Sequence, residues 1–407
     1  MSLKVKRGIL LSTLLSLFAG ACTREAFPAI TREDLFTLEI GRMEDQIALY
    51  NLEGDQGIRR ADFTMREGLF YISDANGEKI SRYNSYGDLL VMMYNDQTNP
   101  LPLTLLPWKE GEIVTRWAFT YPLKAPGKIT VDSRKHLYVE DQLPDEGQRF
   151  DPESKALHNK VILHFDEYGR FVRYLGQEGI GGSPFPKIEG LYSSVQDELV
   201  VVCRLPTGWH IYWFDADGMS LYLVKLHNTA LPIPPDRDIV FVSLDAIAAA
   251  PDERKLYLKV DYYRDTYDES TNTRSGSEPD SSVIWVMRVE DGSYERTIEV
   301  PFFESTVIES GRKTAVKLFY SLLGVIRKER VFLSVPVEEG YAILILDAGS
   351  TNSREQHRGL IQVKPEELQF NAFDLAEDGI LSGLLADNWN IKLVWWRTDK
   401  LIGDVPL

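Results

Sequence analysis

Cysteine is almost missing from this sequence: Cys22 and Cys203 are the whole complement in 407 residues. That excludes a disulfide-built scaffold and any Cys-rich zinc module. Histidine is sparse too. His136, His158, His164, His210, His227 and His357 are scattered without ligand spacing, so each reads as an ordinary strand or loop residue. There is no His-Glu-x-x-His, no Gly-x-Ser-x-Gly elbow and no phosphate loop, since Gly311-Arg-Lys-Thr314 lacks the required upstream glycine. Positive charge is in deficit, with 45 Lys and Arg against 61 Asp and Glu and a net charge of −16. Such a chain has no basic surface to displace counterions from phosphates, which argues against a nucleic-acid partner. No amphipathic pattern of three helical turns is present. What remains is globular in composition, 44% hydrophobic and 26% charged, and long enough for one large β-rich domain or two average ones.

The one long apolar run is at the N-terminus. Lys4, Lys6 and Arg7 precede a mostly apolar stretch from Gly8 to Ala19, followed by Gly20-Ala21-Cys22. The run suits a signal h-region and is too short for a permanent span of a bilayer core roughly 30 Å thick. Small residues followed directly by Cys resemble a bacterial lipobox. Ala19 stands where the usual pattern has Leu, as in the relaxed lipoboxes of spirochaetes. This resemblance implies removal of a signal peptide, residues 1–21, and lipidation of Cys22, with a linker over 22–34. The membrane partner is then reached through a lipid anchor, in the cell envelope, at the outer membrane or the periplasmic face of the inner membrane. Thr23 after the Cys resembles outer-membrane sorting. An ordinary signal peptide with a coincidental Cys, or a buried N-terminal helix, is the plainer alternative. Cys203 ends the apolar run Glu198-Leu-Val-Val-Val-Cys203 and reads as inert packing in a buried strand.

From residue 35 a unit recurs: an apolar strand, a turn, a Leu/Tyr/Val-rich strand, a third strand, a tight Gly turn and a fourth strand. The clearest copy runs through Ala61–Met65, Leu69–Asp74, Lys79–Tyr83, the turn Asn84-Ser-Tyr-Gly87 and Leu89–Met92. A second uses Lys128–Asp132, His136–Glu140, Lys160–Phe165, Asp166-Glu-Tyr-Gly169 and Phe171–Leu175. A third has Leu199–Val202, His210–Phe214, the turn Asp215-Ala-Asp-Gly218 and Leu221–Val224. Asp215–Gly218 is shorter than a calcium loop and fits a hairpin turn. Looser copies pair Lys255–Val260 with Val283–Val289, Val331–Val335 with Tyr341–Leu346, and Gly379–Gly383 with Asn390–Trp396. Such sheets cannot bury both faces alone, but stacked radially they can. The expected fold is all-β: a six-bladed β-propeller over residues 35–407, with the early segment Leu35–Ile40 and Gln46–Tyr50 supplying the strand that closes the ring against the C-terminal unit. A pair of β-sandwiches is the competing architecture.

The linker Leu175-Gly-Gln-Glu-Gly-Ile-Gly-Gly-Ser-Pro-Phe-Pro186 is similar to the Gly-rich segment joining NHL repeats, with Gly176, Gly179, Gly181 and Phe185-Pro186 in the matching places. Tyr71–Asp74 and Leu137–Glu140 resemble the family's second strand. The chain as a whole looks like NHL-type lipoproteins of spirochaetes, a resemblance that implies no particular activity.

Two insertions carry the functional expectation. Residues 142–159 and 262–282 both interrupt a unit between its second and third strands, so both emerge on the face that carries the links between blades. Loops on a rigid scaffold are where binding resides. Arg149, Tyr262, Tyr263, Arg264 and Tyr267 are the candidate binding-face residues, on an acidic, aromatic wall suited to a cationic or polar partner. The alternative reading is two solvated loops. Aligning the innermost strands places Asp62, Lys128, Glu189, Asp245, Ser321 and Asn371 near the channel. Oxygen-rich channels resemble those of calcium-dependent propeller lactonases and propeller lyases. The expectation is therefore a non-enzymatic binding or scaffold module with no cofactor, recognising a protein or glycan partner. A metal-dependent hydrolase or lyase with channel-bound calcium, and a purely structural envelope protein, are the alternatives.

Overall fold

The computed structural model describes residues 27–50, 61–108, 115–235, 239–268, 270–309, 312–349 and 356–403. Residues 1–21 and Cys22, on which the lipobox rests, lie outside these. So does Glu269 of the second insertion.

Antiparallel sheets of short strands follow one another along the chain. Blade 1 comprises Ala61–Arg66, Leu69–Asp74, Lys79–Asn84 and Leu89–Tyr94, extended outward by Trp117–Thr120 and Leu106–Pro107. Blade 2 has Ile129–Val131, Leu137–Gln142, Lys160–Phe165 and Phe171–Gly176, with Gly179–Ile180 at its edge. Blade 3 has Lys187–Ser193, Leu199–Leu205, Gly208–Phe214 and Ser220–His227. Blade 4 has Phe241–Ala249, Lys255–Tyr267, Arg274–Arg288 and Tyr294–Val300. Blade 5 has Ser321–Ile326, Arg330–Val337, Gly340–Asp347 and Gln356–Gln362. The last sheet joins Phe370–Leu375, Leu381–Ala386 and Asn390–Trp396 to Arg32–Glu39 from the other end of the chain. First strands contact first strands all the way round, and that of the closing sheet returns to that of blade 1. This is a closed β-propeller. Where six blades were expected, the chain builds five from contiguous strands, and a composite sheet completes the circle. The closing strand starts at Arg32, inside the stretch read as a linker, and Ala29 already bridges Leu360.

The core is divided into layers between successive sheets rather than gathered in one centre. Tyr71, Ile80 and Val91 of blade 1 pack on Val139, Val161 and Leu163 of blade 2. Phe332 and Ile343 of blade 5 pack on Leu385 and Trp396 of the closing sheet. The inner strands of each sheet, such as Leu69–Asp74, Leu137–Gln142 and Leu381–Ala386, therefore bury both faces, which is why they read as continuous runs, while outer strands such as Ser220–His227 stay largely exposed.

One turn repeats with the same chemistry. Asn84, Asp166 and Asp215 each accept two backbone N–H bonds through Oδ1, from the residues two and four positions on, at 2.8–3.0 Å. The turns close with Gly87, Gly169 and Gly218 at φ +86°, +90° and +81°. A Cβ at these positions would also meet the preceding sheet: Phe36 Cβ at 2.8 Å, Met93 Sδ at 2.9 Å and Leu175 Cδ2 at 2.8 Å. Glycine is required twice over, by φ and by space. The Asp215 turn is thus a hairpin turn whose carboxylate is spent on the backbone. In the Gly-rich linker, a Cβ on Gly176 would sit 2.3 Å from the Gly182 carbonyl, while Phe185 is fully buried against Tyr212 and Phe214.

Strands alternate in direction, so second-to-third junctions and inter-blade links share one face, here called the link face. Residues 142–159 leave it as a 3-10 turn and a small hairpin, Arg149–Asp151 with Ala156–His158. Residues 262–282 are not a loose loop: they prolong blade 4 as a paired hairpin from Tyr262↔Ser281 to Tyr267↔Arg274. A third hairpin, Phe303–Glu309 with Arg312–Leu318, lies in the link from blade 4 to blade 5. Nothing in the sequence pattern singled it out.

Candidate functional site: the axial channel and its wide mouth

The first strands surround an axial channel with two communicating cavities. On the link face it widens to about 990 Å³, and toward the opposite face it narrows to about 480 Å³. Asp62, Lys128 and Phe373 line both and form the throat.

At the throat Lys128 Nζ lies 3.3 Å from Asp62 Oδ2. Asp62 holds the Lys128 ammonium above its usual range, while burial raises Asp62 despite the lysine. Glu140 supports this pair from the second strand of blade 2. Its Oε2 accepts the Lys128 backbone N–H at 3.1 Å, and its Oε1 lies 2.9 Å from Lys160 Nζ. Gly127 lets the carboxylate approach, for a Cβ there would sit 2.6 Å from Glu140 Oε2. Lys187 Nζ reaches Glu189 Oε1 at 2.6 Å. Asn371 Oδ1 accepts from Tyr341 at 3.4 Å, and Phe370 and Phe373 add apolar wall. The wide mouth is therefore mixed in charge: Lys124, Lys128, Lys160 and Lys187 stand against Asp62, Glu78, Glu140, Asp145 and Glu146, so the acids expected there are nearly balanced by lysines.

Of the candidate channel residues, Asp62, Lys128, Glu189 and Asn371 line the cavities, and Asp245 and Ser321 do not. For Asp245 the physical reason is its partner rather than the β-bulge at which it stands. The first strand of blade 4 slips register between Leu244 and Ala246, and Asp245 instead lies 3.1 Å from Lys259 Nζ of the neighbouring strand. Ser321 is an exposed strand-start residue opposite Ser334. Glu189 occupies an equivalent bulge, between Ile188 and Gly190, yet keeps its place in the channel wall.

The candidate loop residues divide more sharply. Tyr262 is fully buried, its hydroxyl donating to the Pro232 carbonyl at 2.6 Å and accepting from Trp285 Nε1 at 2.8 Å. It is a structural residue, not a binding one. Tyr263 packs on Phe241 and Phe319 at 5.6 and 5.5 Å. Arg264 is engaged by Glu278, with Nε donating at 2.7 Å. Tyr267 and Arg149 are exposed. The two insertions do not wall one opening. Gln142–Glu146, at the root of the first, lines the wide mouth; no described residue of 262–282 does.

Two charged groups, one buried and one half-buried, escaped the sequence reading. Lys259 is 1% exposed at its side chain, between Asp245 and Asp261. Its signal was a lysine inside Leu256-Tyr-Leu-Lys-Val260, where a charge needs a partner. Asp374 lines the narrow cavity and accepts from the Met65 N–H at 2.8 Å and from Thr64 Oγ1 at 3.3 Å. Burial pushes its carboxyl from 3.8 up to about 7. Between those values the native state keeps a proton that the unfolded chain has lost. This group's contribution to stability therefore falls as pH rises from about 4 to 7 and is level beyond. The Asp374→Asn variant should lose that slope and be more stable than the native chain at pH 8 by about 2 kcal/mol. Urea melts at pH 5 and 8 would show it, and an unchanged slope would refute it.

Among the described residues no group of three or more His, Cys, Asp or Glu is placed to hold a metal ion. No described helix is long and apolar enough to cross a membrane.

No family model and no curated protein matches the chain. Among solved structures it is similar to regucalcin from Agrobacterium tumefaciens, described as a calcium-binding protein, at 10% identity and TM-score 0.40, covering 91% of this chain and 96% of that one. It is also similar to the β-propeller domain of the trilobed protease from Pyrococcus furiosus, at 11% identity and TM-score 0.37, covering 83% and 94%. A KlHsv2 variant with loop 6CD replaced by a Gly-Ser linker aligns at 12% identity and TM-score 0.27 over 54% of this chain. The chain spans little more than half, 57%, of that protein. At these scores the likenesses add nothing on function; the propeller rests on the sheet order.

Proposed function

We propose that the protein is an NHL-type binding propeller, held in the cell envelope through a lipidated Cys22, that receives a segment of a protein or glycan partner at its wide mouth. The anchor rests on the lipobox resemblance. The binding role rests on the cavity of about 990 Å³ on the link face, whose wall sets Lys124, Lys160 and Lys187 among Glu78, Glu140 and Asp145 beside Phe370 and Phe373. Such a wall offers donors and acceptors to a polymer carrying both, with apolar contact for its backbone or ring faces. A rigid ring places these groups without the ordering cost that a loop site would incur.

The test is capture of envelope components by the native chain and by two variants. Lys124→Glu with Lys187→Glu reverses exposed charges at the mouth and should abolish capture of the specific partner. Replacing the blade 4 hairpin tip, 266–275, by a short turn should leave it intact. Capture unchanged by the charge reversal would overturn the binding role at this mouth and favour a purely structural protein.

A further inference from the structure

We propose that the narrow end of the channel is an oxyanion site, where Arg66 and Arg327 grip the carboxylate or phosphate group of a small molecule. The inference is independent of the partner assigned to the opposite mouth. Arg66 ends the first strand of blade 1, and Arg327 follows the first strand of blade 5. The closing sheet lies between these blades and supplies Glu377 just after its own first strand. Arg66 Nη1 donates to Glu377 Oε1 at 2.9 Å, and Arg327 Nη2 donates to Glu377 Oε2 at 3.0 Å. Two guanidinium groups thus share one carboxylate, leaving a positive charge over.

Their hydrogen bonding is also incomplete. The Nε of Arg66 and the Nε of Arg327 are both buried without an acceptor, and both residues line the 480 Å³ cavity. A guanidinium carries five donors, and a buried unmet donor is costly. Its planar fork matches an oxyanion in two-point contact, so one incoming group can meet donors from both arginines. The neighbouring acids are otherwise engaged. Glu67 lies 3.2 Å from Lys135 Nζ, Asp378 accepts the Ile380 N–H at 3.0 Å, and Asp374 accepts from Met65 and Thr64. The cavity admits a small solute and not a polymer. A protein of net charge −16 repels anions at long range, and six carboxylates stand against three cations around this cavity, so the site rests on two-point contact with the arginines rather than on general attraction.

The experiment titrates the full chain with inorganic phosphate, sulfate and succinate against chloride at equal ionic strength, read by calorimetry and by melting temperature. A saturable rise with at least one of these anions is expected. Preference for phosphate would name a phosphoryl group, and preference for succinate a carboxylate. Arg327→Gln should weaken binding about tenfold or more, and Arg327→Lys, which keeps charge but not the fork, should also weaken it. Should these variants fail to fold, phenylglyoxal modification of the native chain serves instead: the bound anion should protect Arg66 and Arg327 selectively. No saturable response to any of the three anions, equal affinity in Arg327→Gln, or no protection would show that the pair is only a clasp between sheets.

Discussion

Replacing Glu367 by Ala is expected to lower stability by about 3–5 kcal/mol and to release the closing strand Arg32–Glu39. Glu367 is 2% exposed and accepts from Arg32 Nη1 at 2.6 Å, Arg32 Nη2 at 3.0 Å and Lys392 Nζ at 2.7 Å. Arg32 belongs to the one strand that comes from the opposite end of the chain, and Lys392 to the strand it pairs with. The carboxylate therefore fastens the ring where the backbone does not. Its removal takes the carboxylate from Lys392 and from the two Nη donors of Arg32, leaving Arg32 only its Nε bond to Asp34 at 2.6 Å, which is the expensive way to break a buried ion pair. Burial opposes ionisation of Glu367, but the bonds from Arg32 and Lys392 prevail and hold it down from 4.5 to about 2. The stabilisation is complete above pH 4.5 and is lost as pH falls toward 2, so the native chain should show an acid-side decline that the variant lacks. Denaturant melts from pH 3 to 7 test the slope, and amide exchange over 32–39 tests the release. Unchanged melting would mean that the strand ladder and its apolar contacts alone close the ring.

The second large effect is expected at Lys259. Its ammonium lies 2.7 and 2.8 Å from the two oxygens of Asp261, 3.1 Å from Asp245, and 5.6 Å from the centre of the Phe319 ring. Ser282 Oγ donates to Asp261 at 2.6 Å. Lys259→Met should cost about 3–5 kcal/mol, because it strands Asp261 without its cation. Burial already raises the Asp261 carboxyl against the pull of Lys259, so the variant should regain part of its stability at low pH. Converting both aspartates to Asn in the Lys259→Met background should recover most of the loss, since it removes the buried charge altogether. Thermal melts of the single and triple variants decide the matter. A single variant as stable as the native chain would show that the cluster contributes nothing net.

The Glu367 clasp joins elements distant in sequence, whereas the Lys259 cluster lies within blade 4, and neither was read from the sequence as a buried charge cluster. The hairpins were. The Asx-x-x-Gly turns announce themselves because an Asn or Asp side chain, a glycine at positive φ and two flanking apolar runs are local features. The early segment Leu35–Ile40 and Gln46–Tyr50 was legible as the source of the ring-closing strand, because a surplus strand at one end needs an incomplete sheet at the other; of its two runs only the first forms that strand, as part of Arg32–Glu39. The channel candidates fared less evenly. Asp62 and Lys128 were placed by their distance from the following strand, whereas Asp245 was misplaced because Lys259 of the neighbouring strand takes up its carboxylate, a pairing that spacing along one strand does not show.

The sequence by itself determined an all-β chain of repeated hairpins, their turns and the strand that closes the circle, because each depends on residues within a few positions of one another or on a plain strand count. Tertiary structure alone decided which charges meet: Asp62 with Lys128, Arg66 and Arg327 on Glu377, Glu367 with Arg32, Lys259 between two aspartates. These pairings depend on bulges, on the distance between neighbouring sheets and on the order of sheets around the axis. None of these leaves a periodic trace in the chain.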